Sequence, residues 1–112
     1  MVMPAPGKES VYPDRLTSSA KPGDRDVNRH TRETMSALRA AGIETIDLFE
    51  AFQNARLQQD AASSTDLYLA QDTHWSPEGI RVAAQALAAK IAEMNVVEKG
   101  SVDYRFEPVP LQ

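Results

Sequence analysis

From residue 76 onward the chain repeats its apolar positions in steps of four, three, four and three: Ile80, Ala84, Leu87, Ile91 and Met94. Such steps average one helical turn and predict a helix with a single apolar stripe. Its start is written in the residues before it. Ser76 is a preferred N-cap, Pro77 sits where a missing N–H is harmless, and Glu78 complements the positive end of the helix dipole. The third helical position is Gly79, so this is not a capping box. The string EKGS at 98–101 is the expected stop.

Upstream the period changes. Met35, Leu38 and Ala41 recur every third residue, which predicts a helix over Asp24–Ala41, with Asp24 and Asp26 at its N-terminus and Gly42 as the residue that stops it. GIETIDLF reads as a strand over Ile43–Leu48, and Phe49–Gln59 as a second helix with Phe49, Phe52 and Ala55 or Arg56 on one side. AASSTD is a loop by composition, and LYLA at 67–70 a short strand. Pro4, Pro6, Pro13 and Pro22, with Gly7 and Gly23, leave room for no regular structure in residues 1–24 beyond a short strand, VMPAP. SVYPDRL offers apolar side chains to pin that loop to a core. The tail VDYRFEPVPLQ alternates as a strand does, then breaks at Pro108 and Pro110.

The order strand, loop, helix, strand, helix, strand, helix implies an α/β fold, a mainly parallel sheet covered by helices. Ligands of open α/β sheets bind beyond the carboxyl ends of the strands. Asp72 and His74 follow LYLA at such a place.

Length and charge narrow the field. A chain of 112 residues, 42% hydrophobic, is one small domain or part of one. A net charge of −4 argues against a general nucleic-acid binder, which needs a basic face. With no cysteine, disulfides and thiolate metal sites are excluded. No stretch approaches the roughly 20 apolar residues of a membrane span, and MVMPAPGKES lacks the features of a signal peptide. VMPAP reads as the tail of a buried strand whose beginning lies outside the chain, so a fragment is expected.

QDTHWSPEG, residues 71–79, carries the candidate chemistry. In an extended segment, residues two apart share a side, so Asp72 can hold the His74 imidazole in one tautomer and stabilise its charged form. A histidine titrating near pH 6.5 suits a general base at about neutral pH. The same letters also describe a turn-capping Asp, a solvated His and a core Trp. A metal site needs three or four ligands, and the other histidine, His30, is distant within a polar helix. No metal and no cofactor are expected.

The longer string YLAQDTHWSPEGIRVAAQALAAKI resembles the signature segment of the alginate O-acetyltransferase family, the AlgX/AlgJ-like proteins with an SGNH-hydrolase-like domain. PAPGKESVYPDRL and IETIDLFEAF resemble its other segments, collinearly from about Met3 to Met94. The resemblance implies a partial SGNH-hydrolase-like (flavodoxin-like) three-layer α/β fold with a short, mainly parallel sheet. It divides the chain into an N-terminal loop with a strand remnant (1–24), the α/β portion bearing Asp-x-His-Trp (25–96) and a tail (97–112).

The resemblance also implies acetyl transfer to hydroxyls of an exported polysaccharide in the periplasm, with a membrane-bound O-acyltransferase as partner. Asp72 would be the orienting acid and His74 the general base. The family's serine lies further along, in a Gly-x-Ser type motif; after Met94 this chain offers only Ser101, directly behind Gly100. The chain is therefore expected to carry the Asp–His half of a triad and to be inactive alone. Lys8 and Tyr12 are candidates for lining a substrate groove, and Trp75 for stacking on a sugar. The rival expectation is a non-catalytic polysaccharide-binding or assembly module.

Overall fold

The computed structural model describes residues 1–24, 28–59, 66–98, 100–105 and 107. Among the described residues four α-helices run in chain order: α1 (Lys8–Val11), α2 (Arg29–Ala40), α3 (Leu48–Gln58) and α4 (Pro77–Met94), with a 3-10 turn over Pro13–Arg15 between the first two. The helix and 3-10 turn within residues 8–15 correct the expectation of an irregular N-terminal segment. Pro13 opens the 3-10 turn, where its missing N–H costs nothing.

The helix ends follow their local chemistry. At the end of α2, Ile43 N–H donates to Leu38 O and Gly42 N–H to Arg39 O, each at 2.9 Å, with Gly42 at φ +77°. That is a Schellman motif, and glycine adopts its left-handed residue without steric cost. The start expected at Asp24 gives way to Arg29, and Asp26 lies outside the described residues. Asp47 caps α3 by accepting Glu50 N–H at 3.1 Å, which moves the helix start to Leu48 and cuts the expected Ile43–Leu48 strand short. Ser76 caps α4 through Gly79 N–H, as expected, while Asn95 in the left-handed region ends it before the predicted EKGS stop, whose Lys99 lies outside the described residues.

Among the described residues the backbone forms two isolated bridges and no longer strand: Val2 with Thr45, parallel, and Tyr68 with Trp75, antiparallel. The first has a plain limit. Val2 donates to Glu44 O and accepts from Ile46 N–H, so the next parallel rung would need an N–H from residue 4. That residue is Pro4, which has none. Val2 and Met3 are each 38% exposed, so this segment is not the buried strand expected from VMPAP. LYLA contributes a bridge at Tyr68, and residues 101–105 of the tail are exposed and without strand pairing; its remainder from Pro108 lies outside the described residues.

The core joins Val11 and Tyr12 from the N-terminal segment, Ile46, Leu48 and Phe52 around α3, Leu67 and Tyr68, and Val82 and Ala83 from α4. Helix α3 packs against both α1 and α4. The predicted stripe holds in the later turns of α4, where Leu87 packs on the core and Ile91 and Met94 are half-buried, but at its start the buried face is rotated. Gly79, Val82 and Ala83 point inward, while Ile80 is 57% exposed and Ala84 is exposed. Gly79 explains the rotation: a Cβ there would stand 2.2 Å from the Leu67 carbonyl oxygen. Only a glycine lets α4 start hard against the backbone of residue 67.

Candidate active site

The segment from Leu67 to Ser76 is a hairpin. Leu69 N–H donates to His74 O and Ser76 N–H to Leu67 O, both at 3.0 Å, on either side of the Tyr68–Trp75 bridge. Its second arm runs straight into α4, fastened by Ser76, whose hydroxyl donates to Asp66 O at 2.6 Å and accepts from Gly79 N–H at 3.2 Å. That hydroxyl is buried and fully committed to structure.

Asp72 and His74 stand at the hairpin's tip. Asp72 Oδ1 accepts the His74 Nδ1–H at 2.6 Å and the His74 backbone N–H at 3.1 Å. The sequence spacing placed both on one side through an extended backbone; a turn closed by Asp72 N–H to Leu69 O brings them together instead. The hydrogen bond from the imidazole, then that from the backbone N–H, holds the Asp72 carboxyl below the usual aspartate range. With the carboxylate as acceptor the ring proton sits on Nδ1, so Nε2 carries the lone pair. The imidazole is 81% exposed, so that lone pair faces outward. This arrangement can take a proton from a hydroxyl and give it back.

An open recess of about 350 Å³ adjoins the ring, lined by Ala5, Pro6, Thr73, His74, Trp75 and Ile80. Trp75 borders it while packing on Phe52, with ring centroids 5.1 Å apart.

Lys8 and Tyr12 do not line that recess but share another of about 220 Å³ with Arg15 and Leu16. The Lys8 ammonium donates to the Leu69, Ala70 and Asp72 carbonyls at 2.7, 2.9 and 3.1 Å. Tyr12 is 3% exposed and its hydroxyl accepts the Leu67 N–H at 3.0 Å. Its ring lies under two guanidiniums, Arg15 at 4.2 Å and Arg56 at 4.5 Å from the centroid. His30 is exposed and meets Glu33 at 3.3 Å, remote from the hairpin in sequence.

Several residues that build the site escaped the sequence reading. Tyr68 donates its hydroxyl to Pro6 O at 2.7 Å, tying the N-terminal segment to the hairpin, and burial pushes its phenol well above the ordinary range. Arg56 meets Asp14 through two parallel bonds and Arg15 meets Asp66 likewise. The partners are 42 and 51 residues apart, a separation at which no local pattern announces a pair. Among the described residues no three His, Asp or Glu side chains gather as a metal site, and no helix is long and apolar enough to cross a membrane.

The pattern of the family described as SGNH hydrolase-like domain, acetyltransferase AlgX matches residues 1–112. The chain is also similar to proteins named probable alginate O-acetylase AlgJ. That of Pseudomonas aeruginosa is 29% identical over 93 residues, covering 83% of this chain and 22% of the relative. Those of Pseudomonas syringae pv. tomato and Pseudomonas fluorescens are each 32% identical, covering 83% and 79% of this chain and 22% and 21% of theirs. No solved structure matches. The chain belongs to the SGNH hydrolase-like acetyltransferase family of AlgX, and with it to the α/β class. It spans about a fifth of the length of the curated relatives it matches.

Proposed function

We infer that this chain supplies the acid–base half of a polysaccharide O-acetyltransferase site. The observation that carries this reading is the 2.6 Å contact of Asp72 Oδ1 with His74 Nδ1 on an imidazole left 81% exposed. Asp72 fixes the tautomer and offsets the charge that His74 gains. His74 Nε2 takes the proton of an attacking serine hydroxyl as its oxygen bonds to the acetyl carbonyl carbon. The proton then passes to the departing group as the acetyl–donor bond breaks, leaving an acetyl-serine. In the second half His74 deprotonates a sugar hydroxyl, which takes the acetyl group and frees the serine. Ser76 is spoken for by Asp66 and Gly79, so the serine comes from elsewhere in the assembled site.

The relatives' name, probable alginate O-acetylase, supports an alginate-like acceptor. In this reading the reaction runs in the periplasm, with a membrane-bound O-acyltransferase supplying the acetyl groups. The Val2–Thr45 bridge supports a short parallel sheet, covered by helices, in the complete three-layer fold. Trp75, at the edge of the recess, is the residue here best placed to meet a sugar ring.

The test is acetyl transfer by the full-length protein from an activated acetyl ester to alginate-type oligosaccharides. His74→Ala and Asp72→Asn should each cost about 10⁴-fold in turnover. Transfer that survives His74→Ala to within about threefold sinks the proposal. Polymer binding with no His74-dependent transfer would favour a binding or assembly module instead.

A further inference from the structure

The hairpin that carries Asp72 and His74 lacks one of its own rungs. Facing residues of a regular antiparallel pair such as Leu69 and His74 exchange both N–H···O bonds. Leu69 N–H does donate to His74 O, at 3.0 Å. The His74 N–H turns away, toward Asp72 Oδ1 at 3.1 Å, and the Leu69 carbonyl it would have met takes the Lys8 ammonium at 2.7 Å. The same ammonium holds the carbonyls of Ala70 and of Asp72 itself.

We propose that Lys8 is a positioning residue for this site: by gathering three carbonyls of the turn it leaves the His74 amide to the Asp72 carboxylate and so fixes the carboxylate that orients the imidazole. The catalytic weight of this inference rests on the function proposed above; its structural content does not.

The chemistry of the residue fits the task. An ammonium has three N–H donors and no acceptor, and three carbonyls at 2.7–3.1 Å occupy them all. A planar guanidinium presents its donors in a flat fork and does not match a cluster converging on one point. The stem is also well anchored. Lys8 is the first residue of α1, whose Ser10 and Val11 are buried, and Pro6, two residues before it, accepts the Tyr68 hydroxyl at 2.7 Å. Without the ammonium, the Leu69 carbonyl keeps only the long Asp72 N–H bond, at 3.4 Å, and its open acceptor position can recapture the His74 N–H as an ordinary rung, drawing it off Asp72. With its donors engaged, Lys8 has little left to offer a substrate.

The absence of cysteine from the chain allows a clean test. Lys8→Cys is made in the full chain, then aminoethylated with 2-bromoethylamine, which rebuilds a side chain of lysine length ending in an ammonium. Nitrogen-15 NMR of the His74 ring reads the tautomer. Expected are a ring proton localised on Nδ1 in the parent, a mixture of both tautomers in Lys8→Cys, and recovery on aminoethylation. In the full-length protein the same substitution should lower kcat about 10- to 100-fold with KM for the acceptor unchanged.

A raised KM with kcat intact would make Lys8 a substrate contact and overturn the proposal, as would a tautomer indifferent to Lys8→Cys. Lys8→Met, which keeps an apolar stem, guards against a folding defect. If both variants unfold and aminoethylation restores the fold, Lys8 is a fold determinant and the positioning role is refuted. Loss of transfer in His74→Ala alongside unchanged rates in Lys8→Cys defeats this inference alone. Retained transfer in His74→Ala defeats the function beneath it.

Discussion

Two carboxylates meet nitrogen donors at the same distance in opposite surroundings. Asp14 meets Arg56, and Asp72 meets His74, each with a shortest contact of 2.6 Å. In the first pair the side chains are 24% and 13% exposed; in the second, 47% and 81%. Arg56 spends its donors on both Asp14 oxygens and on Val11 O, and lays its flat face on Tyr12. Little of that arrangement faces another molecule. His74 spends one ring nitrogen and keeps the other facing outward. A closed contact stabilises the fold, because each group has exchanged water for a fixed partner. An open one contributes little to stability and leaves an atom able to react.

That contrast is broken most severely from the closed side. Arg56→Ala strands Asp14 and the Val11 carbonyl and uncovers Tyr12. A loss of about 3 kcal/mol is expected, at the low end of the range for breaking a buried pair, or a melting point lower by about 10–20 °C for a domain of this size. Thermal denaturation followed by circular dichroism measures it; a shift of under about 3 °C would show that the pair is not closed in solution.

Acid sharpens the same contrast with a smaller effect. The hydrogen bond from Arg56 holds the Asp14 carboxyl below the ordinary aspartate value, and Arg15 does the same to Asp66. A lowered folded pKa means that the stabilisation is complete above the unfolded value of about 3.9 and is lost as pH falls through the lowered folded value. The melting temperature should therefore hold from neutral pH to about pH 5 and then drop, and Asp14→Asn, already without the charge, should flatten part of that drop. A parallel decline in parent and Asp14→Asn would remove this pair from the account.

His74→Ala should have the smallest effect on the fold: a melting point within about 3 °C of the parent, as for an exposed substitution away from the core. If removing it unfolds the chain, the open end is structural and the contrast collapses.

What could be read along the chain was local. Gly42 as a helix stop, Ser76–Pro77 as a helix start and the pairing of Asp72 with His74 all depend on residues within about one turn of each other, where the backbone leaves few options. What could not be read was the partner of any residue that reaches across the molecule. Lys8 and Tyr12 looked suited to a groove because an ammonium and a phenol suit sugars. They do line one recess, but their polar partners were not legible: Tyr12 lies under two guanidiniums, and Lys8 holds three carbonyls more than 60 residues away.

Helix α4 shows the division within a single element. Its position and its cap follow from Ser76, Pro77 and the apolar spacing, since these act through bonds inside the helix. Its orientation does not, because two apolar faces overlap on that surface and periodicity alone favours Ile80 and Ala84. The choice was made by contact: Gly79 has no side chain to hold it off the Leu67 carbonyl, so that face turned inward and Ile80 was left outside. Sequence sets where a chain can bend and cap, because those forces are short-ranged. Which surfaces meet is decided only when distant segments compete for the same space.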